Sequence, residues 1–511
     1  MSQDVESSQR AAPARLRGGQ ISPLGLAALA LGTMSPAIAL YALWGPVQLA
    51  TGPIAPLMYV IAAVLALPAA VSYVELNKVM PSTGAASSWL WRIVSPSAGY
   101  LCGLLMATYF FMGALQQPLL FGLFFQDLLG LAGVTLSPVL SWSIAICMIT
   151  LPVVWAAYRG AKASTRLAVL LMAFECVVVV ALCLTVLSVR AEEPGGIHFS
   201  PFLPSTATHG AAGFWTAVVL ASLAFGGFDV VSTAAEETHA PAKHIPKAII
   251  LTILVITVFW AFSSWVFTLA LPDERLRAYS SAGVTAVTPM AAEFWGRGNV
   301  LIILSAFTGV AAIYVSLVLG SSRIIFAMAR HGLLPAGLGR VEPVHGVPHR
   351  ALRLVFGMVI LGNIVSLLVM RNGVDAFIWW SNALAFFMLL TFASVNLANL
   401  VFFTRIQRSA FRPLQNLVVP VIGLLLNAVV IYEAFFRALW TSPSILHRSV
   451  VWFCVGLLGV YVAAVALMRW LAPQRLQGHP PILASAEPTS GELEPTSSTG
   501  AQLLPIEEAE R

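Results

Sequence analysis

The chain has 511 residues, of which 58% are hydrophobic and 10% charged, with a formal net charge of +6. That balance excludes an ordinary soluble domain and describes an all-α polytopic membrane protein. The positive charge does not indicate nucleic acid, because the basic residues are scattered among short segments between apolar runs instead of gathering on one polar domain.

Residues 1–20 are polar and include Arg10, Arg15 and Arg17 without a short apolar core and cleavage site, so they are expected to be a cytoplasmic segment and not a removable signal. At about 20 apolar residues per crossing, residues 21–472 predict 12 transmembrane helices. They lie near 24–49, 54–75, 98–130, 138–157, 165–189, 213–235, 247–270, 299–329, 351–370, 375–404, 414–437 and 448–470. The runs at 98–130, 299–329 and 375–404 exceed the bilayer thickness, which predicts tilt or ends projecting into water. All five cysteines fall inside apolar runs with no pairing or metal spacing, and read as packing residues. With both termini inside, Lys78, Arg92, Lys162, Arg166, Lys243 and Arg330 fall in or beside cytoplasmic loops, whereas the outer side keeps fewer cations, Arg190, Arg275 and Arg297 among them. This asymmetry satisfies the positive-inside rule for a multi-pass protein of the cell membrane. Residues 473–511, rich in Pro, Ser, Thr and Glu, have too little hydrophobicity to pack and are expected to form a disordered cytoplasmic tail.

Two runs are interrupted. The first contains Gly32-Thr33-Met34-Ser35-Pro36 and the sixth Phe225-Gly226-Gly227-Phe228-Asp229. Irregular backbone at membrane depth survives only where protein buries it or a cavity solvates it. Breaks in the first and sixth of 12 helices are what a 5+5 inverted repeat produces, with a site near the midplane. Free N–H groups at half-helix N-termini suit a carboxylate, and exposed carbonyls at C-termini suit an ammonium. Gly32, Thr33, Met34 and Ser35 are therefore candidates for a substrate carboxylate, and Ala224, Phe225, Gly226, Gly227 and Phe228 for its amino end, with Phe225 as a lid. Gly and Pro that merely kink or closely pack helices are the competing reading.

After the sixth run come Glu236-Glu237, Pro241, Ile245-Pro246 and Ala248-Ile249. Ser322-Arg323, Ala327-Met328-Ala329-Arg330, Gly332 and Leu334-Pro335 follow the eighth, and Glu75, Pro81 and Gly84 end the second. Together with Gly227-Phe228-Asp229 this combination resembles the amino acid–polyamine–organocation (APC) superfamily of permeases over roughly residues 20–470. The resemblance implies a LeuT-type fold with discontinuous helices 1 and 6, and amino acid transport. It makes Tyr109 and Trp380 pocket candidates. The chain departs from the family pattern in its first break, which lacks the Gly-Ser-Gly form, in Ala240 for the usual Asn, and in His331 for the common Asp.

Glu175 is the only ionisable residue away from the ends of the fifth run, and such an intramembrane carboxyl is a functional candidate. Counted from Gly160, it falls where many family members resemble one another in having a Lys beside the first break. Two readings stay open: Glu175 exchanges a proton during transport, or it helps hold Na⁺ with oxygens such as those of Thr308 and Ser316. Asp229 is the second proton-coupling candidate, or else a cap on the inner half-helix. Glu236 and Glu237 are expected to pair with loop cations, and Gln116-Gln117 to make interhelical hydrogen bonds or touch a ligand. No phosphate-cradling loop, metal-ligand cluster or nucleophile–base set is present in the sequence, so an enzyme or ATP-driven pump is disfavoured and no cofactor is expected. The chain reads as a secondary active transporter of an amino acid or related amine, its partners the lipid bilayer and that small molecule. An exchanger without ion coupling and a transporter-like sensor are the alternatives.

Overall fold

The computed structural model describes residues 19, 21–159, 165–208, 210–281, 283–342, 345–441 and 444–476. The N-terminal segment with its three arginines, Lys162, the side chain of Arg166 and the tail beyond residue 476 lie outside the described residues. Among the described residues ten helices are long and apolar enough to cross a membrane, and none forms a strand. The protein is thus all-helical and multi-pass.

The first apolar run divides into Pro23–Met34 (α1) and Ile38–Thr51 (α2), and continues into Ala55–Val79 (α3). Next come Ala85–Ile93 (α4), Pro96–Leu131 (α5), Pro138–Arg159 (α6) and Thr165–Ala191 (α7). The sixth run divides into Gly210–Ala224 (α8) and the single turn Val230–Thr233 (α9). Pro241–Leu269 (α10), Asp273–Ser280 (α11), Val287–Trp295 (α12) and Val300–Arg330 (α13) follow. The chain ends in His349–Val369 (α14), Gly373–Val401 (α15), Val419–Ile431 (α16), Arg437–Thr441 (α17) and Ile445–Leu471 (α18). The short helices α4, α11 and α12 were not legible in hydropathy, since eight or nine residues are far below a crossing.

Local chemistry fixes several starts. Ser22, Ser95 and Asn372 each accept a hydrogen bond from a first-turn backbone N–H of α1, α5 and α15, with Pro at the first turn of α1 and α5. At 36 residues α5 is about 54 Å long at 1.5 Å per residue, well beyond the hydrocarbon core.

The centre of the bundle is built on α5 between α13 and α15. Gly113 permits that approach: a Cβ there would come within 2.8 Å of Leu317 Cδ1 and 3.0 Å of Leu384 Cδ1. Gly103 lies against Met328 and Gly373 against Leu123, so both neighbours run antiparallel to α5. Large apolar side chains such as Leu151, Leu368 and Trp470 cover the outer surface, the arrangement a lipid solvent favours. Cys102, Cys183 and Cys454 are buried packing residues and all five cysteines are free, but Cys147 of α6 is exposed and not part of the core.

Candidate substrate site at two broken helices

Proline ends the first helix because Pro36 has no N–H to continue the ladder. Ser35 sits at φ 40°, and its N–H bonds Leu31 O at 2.8 Å, closing α1. Trp260 Nε1 of α10 donates to the freed Pro36 carbonyl at 2.9 Å. The Ser35 hydroxyl accepts from Ile38 N at 3.3 Å, starting α2, and donates to Glu175 Oε2 at 2.5 Å. Glu175 is 1% exposed, held by α7 against this break. Gly309 of α13 closes the third side, since a Cβ there would meet Ser35 Oγ at 2.5 Å and Glu175 Oε2 at 3.0 Å.

The second break needs its glycine. Gly227 has φ 113°, which L side chains rarely adopt, and a Cβ on it would meet Thr33 Cγ2 at 2.6 Å. The two interruptions therefore touch. Asp229 occupies the N-cap position of α9 yet makes no capping bond, which corrects the capping expectation: α9 is one turn long and tyrosines take the carboxyl first. Tyr73 OH donates to Asp229 Oδ2 at 3.1 Å, and Tyr109 OH makes a short bond to Oδ1.

A cavity opens beside the two breaks. Thr33, Met34, Ala224, Gly226 and Tyr109 line it, joined by Ile38, Ala39, Ala42 and Leu43 of α2, Gln116, Gln117 and Leu120 of α5, Leu223 of α8, Ile313 and Leu317 of α13, and Phe377, Ser381 and Leu384 of α15. Other expected residues lie off its wall. Phe225 packs edge-on against Trp260 with centroids 5.0 Å apart and does not line the cavity. Phe228 packs against Tyr73 and Phe392, Ser35 turns to Glu175, and Gly32 and Gly227 shape the backbone behind. Trp380 is also displaced: its Nε1 donates to Ser366 Oγ at 2.8 Å and its ring meets Trp379 and Phe453. Trp380 stands at the edge of the stripe that Phe377, Ser381 and Leu384 form at intervals of four and three residues, about 100° round the helix from Ser381, and turns to the neighbouring helix. The same spacing from Tyr109 to Gln116 and Leu120 was the available signal for the α5 wall. Gln116 accepts from Ser381 Oγ at 2.8 Å across helices, whereas Gln117 bonds within its own helix, Nε2 to Gly113 O at 2.9 Å.

The cavity runs from the breaks toward the C-terminal half of α5. Toward the other half, two ion pairs join α13 to the segment after the second break. Arg323 binds Glu237 in a fork at 2.7 and 3.0 Å, and Arg330 Nη2 binds Glu236 at 2.7 Å, so both glutamates pair with arginines, of helix α13 and not of a loop as expected. Arg323 is 3% exposed. Thr308 Oγ1 donates to its own helix at Ser305 O, 2.8 Å away. Among the described residues no group of three or more Cys, His, Asp or Glu side chains has the arrangement of a metal site.

The sequence model of the family described as amino acid permease matches residues 21–474. The chain is similar to a branched-chain amino acid permease, BcaP, of Bacillus subtilis, 27% identical over 71% of this chain and 77% of that protein. It is also similar to a low-affinity putrescine importer, PlaP, of Escherichia coli, 25% identical over 80% of this chain and 85% of that protein. A methylthioribose transporter of Bacillus subtilis is 25% identical over 58% of this chain and 64% of its own length.

Proposed function

The chain belongs to the amino acid permease family, and from that premise we propose that this transporter moves an amino acid or related amine by alternating access, coupled to a proton. We read the helices as 12 crossings in a LeuT-type 5+5 inverted repeat, discontinuous at α1/α2 and α8/α9, with both termini cytoplasmic. The contact of Gly227 with Thr33 is the observation that supports this reading most, since it brings both breaks to one cavity. Half-helix ends there offer what a zwitterion needs and hydrocarbon does not: the positive dipole end of α2 for the carboxylate and the carbonyl end of α8 for the ammonium.

Alternating access needs one closed end. The Arg323–Glu237 and Arg330–Glu236 pairs are the inner closure in this reading, and the cavity is the outward side of the pathway. Glu175 takes the coupling proton: its carboxyl is buried on Ser35, so a change of its charge acts directly on the backbone that would receive the substrate carboxylate. Asp229, tied to cavity-lining Tyr109, is the second carboxyl of the mechanism.

Uptake into proteoliposomes tests the proposal. Labelled amino acid should accumulate when an inward proton gradient is imposed on vesicles empty of substrate. Uptake that ignores the gradient and begins only after substrate is preloaded would establish exchange and overturn proton coupling. Ligand binding without flux in either assay would overturn transport itself.

A further inference from the structure

Gln117 is 2% exposed, lines the cavity, and keeps one polar atom without a partner. Its Nε2 donates to Gly113 O at 2.9 Å, and a carbonyl can only accept, so the amide cannot be turned round. The unpartnered atom is therefore Oε1, a buried acceptor on a residue of the cavity wall. Its neighbour Gln116 has the opposite need. Ser381 already donates to the oxygen of Gln116, so what this side chain has to offer a ligand is N–H. One acceptor and one donor side by side complement a carboxamide.

The Nε2 bond to Gly113 O folds the Gln117 amide back along α5 toward Tyr109 and the two breaks, so the site has the breaks at one end and this amide at the other. Between these ends the walls are apolar, Met34, Ile38, Leu317 and Leu384 among them, and no Asp, Glu, Lys, Arg or His lines the cavity. A charged side chain or second ammonium would enter without a counter-ion.

We propose that Gln117, with Gln116 beside it, is a specificity-determining residue that selects a neutral amino acid ending in a carboxamide. The inference rests on the transport reading above and adds the substrate class to it.

Wild-type protein in proteoliposomes, assayed with L-glutamine and with L-norleucine, which matches its chain length without the amide, tests this directly. KM for glutamine is expected to be at least about tenfold lower, because an analogue without the amide leaves a buried acceptor unpaired. In Gln117→Met the ratio of the glutamine KM to the norleucine KM should rise about tenfold. Equal or inverted wild-type preference, which needs no variant, overturns the inference, as does an unchanged ratio in Gln117→Met. Both amino acids being carried without discrimination leaves the transport reading intact; uptake of neither, with uptake of a diamine, overturns the amino acid reading and this inference together.

Discussion

The Ser35 hydroxyl donates to Glu175 Oε2 at 2.5 Å, tying the only carboxyl of α7's interior to the point where α1 gives way to α2. Gly309 fits against both, and no larger residue would. Replacing Glu175 with Gln keeps the size and an oxygen for Ser35 but removes the titratable group. Glu175→Gln should fold, bind and exchange substrate, yet accumulate nothing in response to a proton gradient. Gly309→Ala should act on the same pair by crowding, at a cost of about 1–3 kcal/mol in stability. Gradient-driven accumulation by Glu175→Gln at the wild-type level would exclude this carboxyl as the coupling site.

Asp229 gives a second, separable test. Its two oxygens accept from different phenols, Tyr73 on α3 and Tyr109 on α5, and all three side chains are buried. Tyr109→Phe or Tyr73→Phe removes one bond to a buried carboxyl, which should lower stability by about 1–3 kcal/mol, read as the melting temperature in detergent. Because both act through one carboxyl, the double variant should depart from additivity by about 0.5–3 kcal/mol. Strict additivity would mean that the two tyrosines do not share Asp229 in the protein in detergent.

The inner closure is open to a cycle of the same kind. Arg323 is almost fully buried and its fork is filled by Glu237. Glu237→Gln strands that charge, so it should cost about 3–5 kcal/mol, and the protein should relieve the strain by opening inward. Cysteine labelling from the cytoplasmic side, at a position introduced on α9, should then become faster. Replacing Arg323 and Glu237 together by Met removes the unpaired charge and should recover most of the lost stability. Labelling unchanged in Glu237→Gln would show that this pair does not govern access.

Much of this was legible in advance, for definite reasons. Apolar runs and their Gly-Pro interruptions mark helices and breaks because lipid leaves the backbone no other partner. Glu175 stood out since a carboxyl within an apolar run has few explanations. Phase was harder to read. Trp380 and Phe225 are conspicuous aromatics next to the right places, but a single residue turns a side chain by about 100° on a helix, Phe225 lies in the break beyond the end of α8, and both face neighbouring helices. Capping stayed open for Asp229 in the sequence because its partners, Tyr73 and Tyr109, lie 156 and 120 positions away in the chain. Only packing brings them together.

Ala240 offers a test of local strain. It precedes α10 at φ 44° and ψ 61°, a left-handed conformation that suits Gly or Asn far better than a residue with an alanine Cβ. The departure from the asparagine of the resembled permeases therefore has a physical cost, about 1–2 kcal/mol for an L-residue held there. Ala240→Asn should raise stability by about 1 kcal/mol, since Asn tolerates this conformation and its side-chain oxygen can reach the orphan N–H groups at the start of α10. Ala240→Gly should gain less, because the relief is offset by the greater freedom of glycine in the unfolded chain. Melting of the purified protein in detergent reads both, and a lower melting temperature for each variant would show that the turn is not strained.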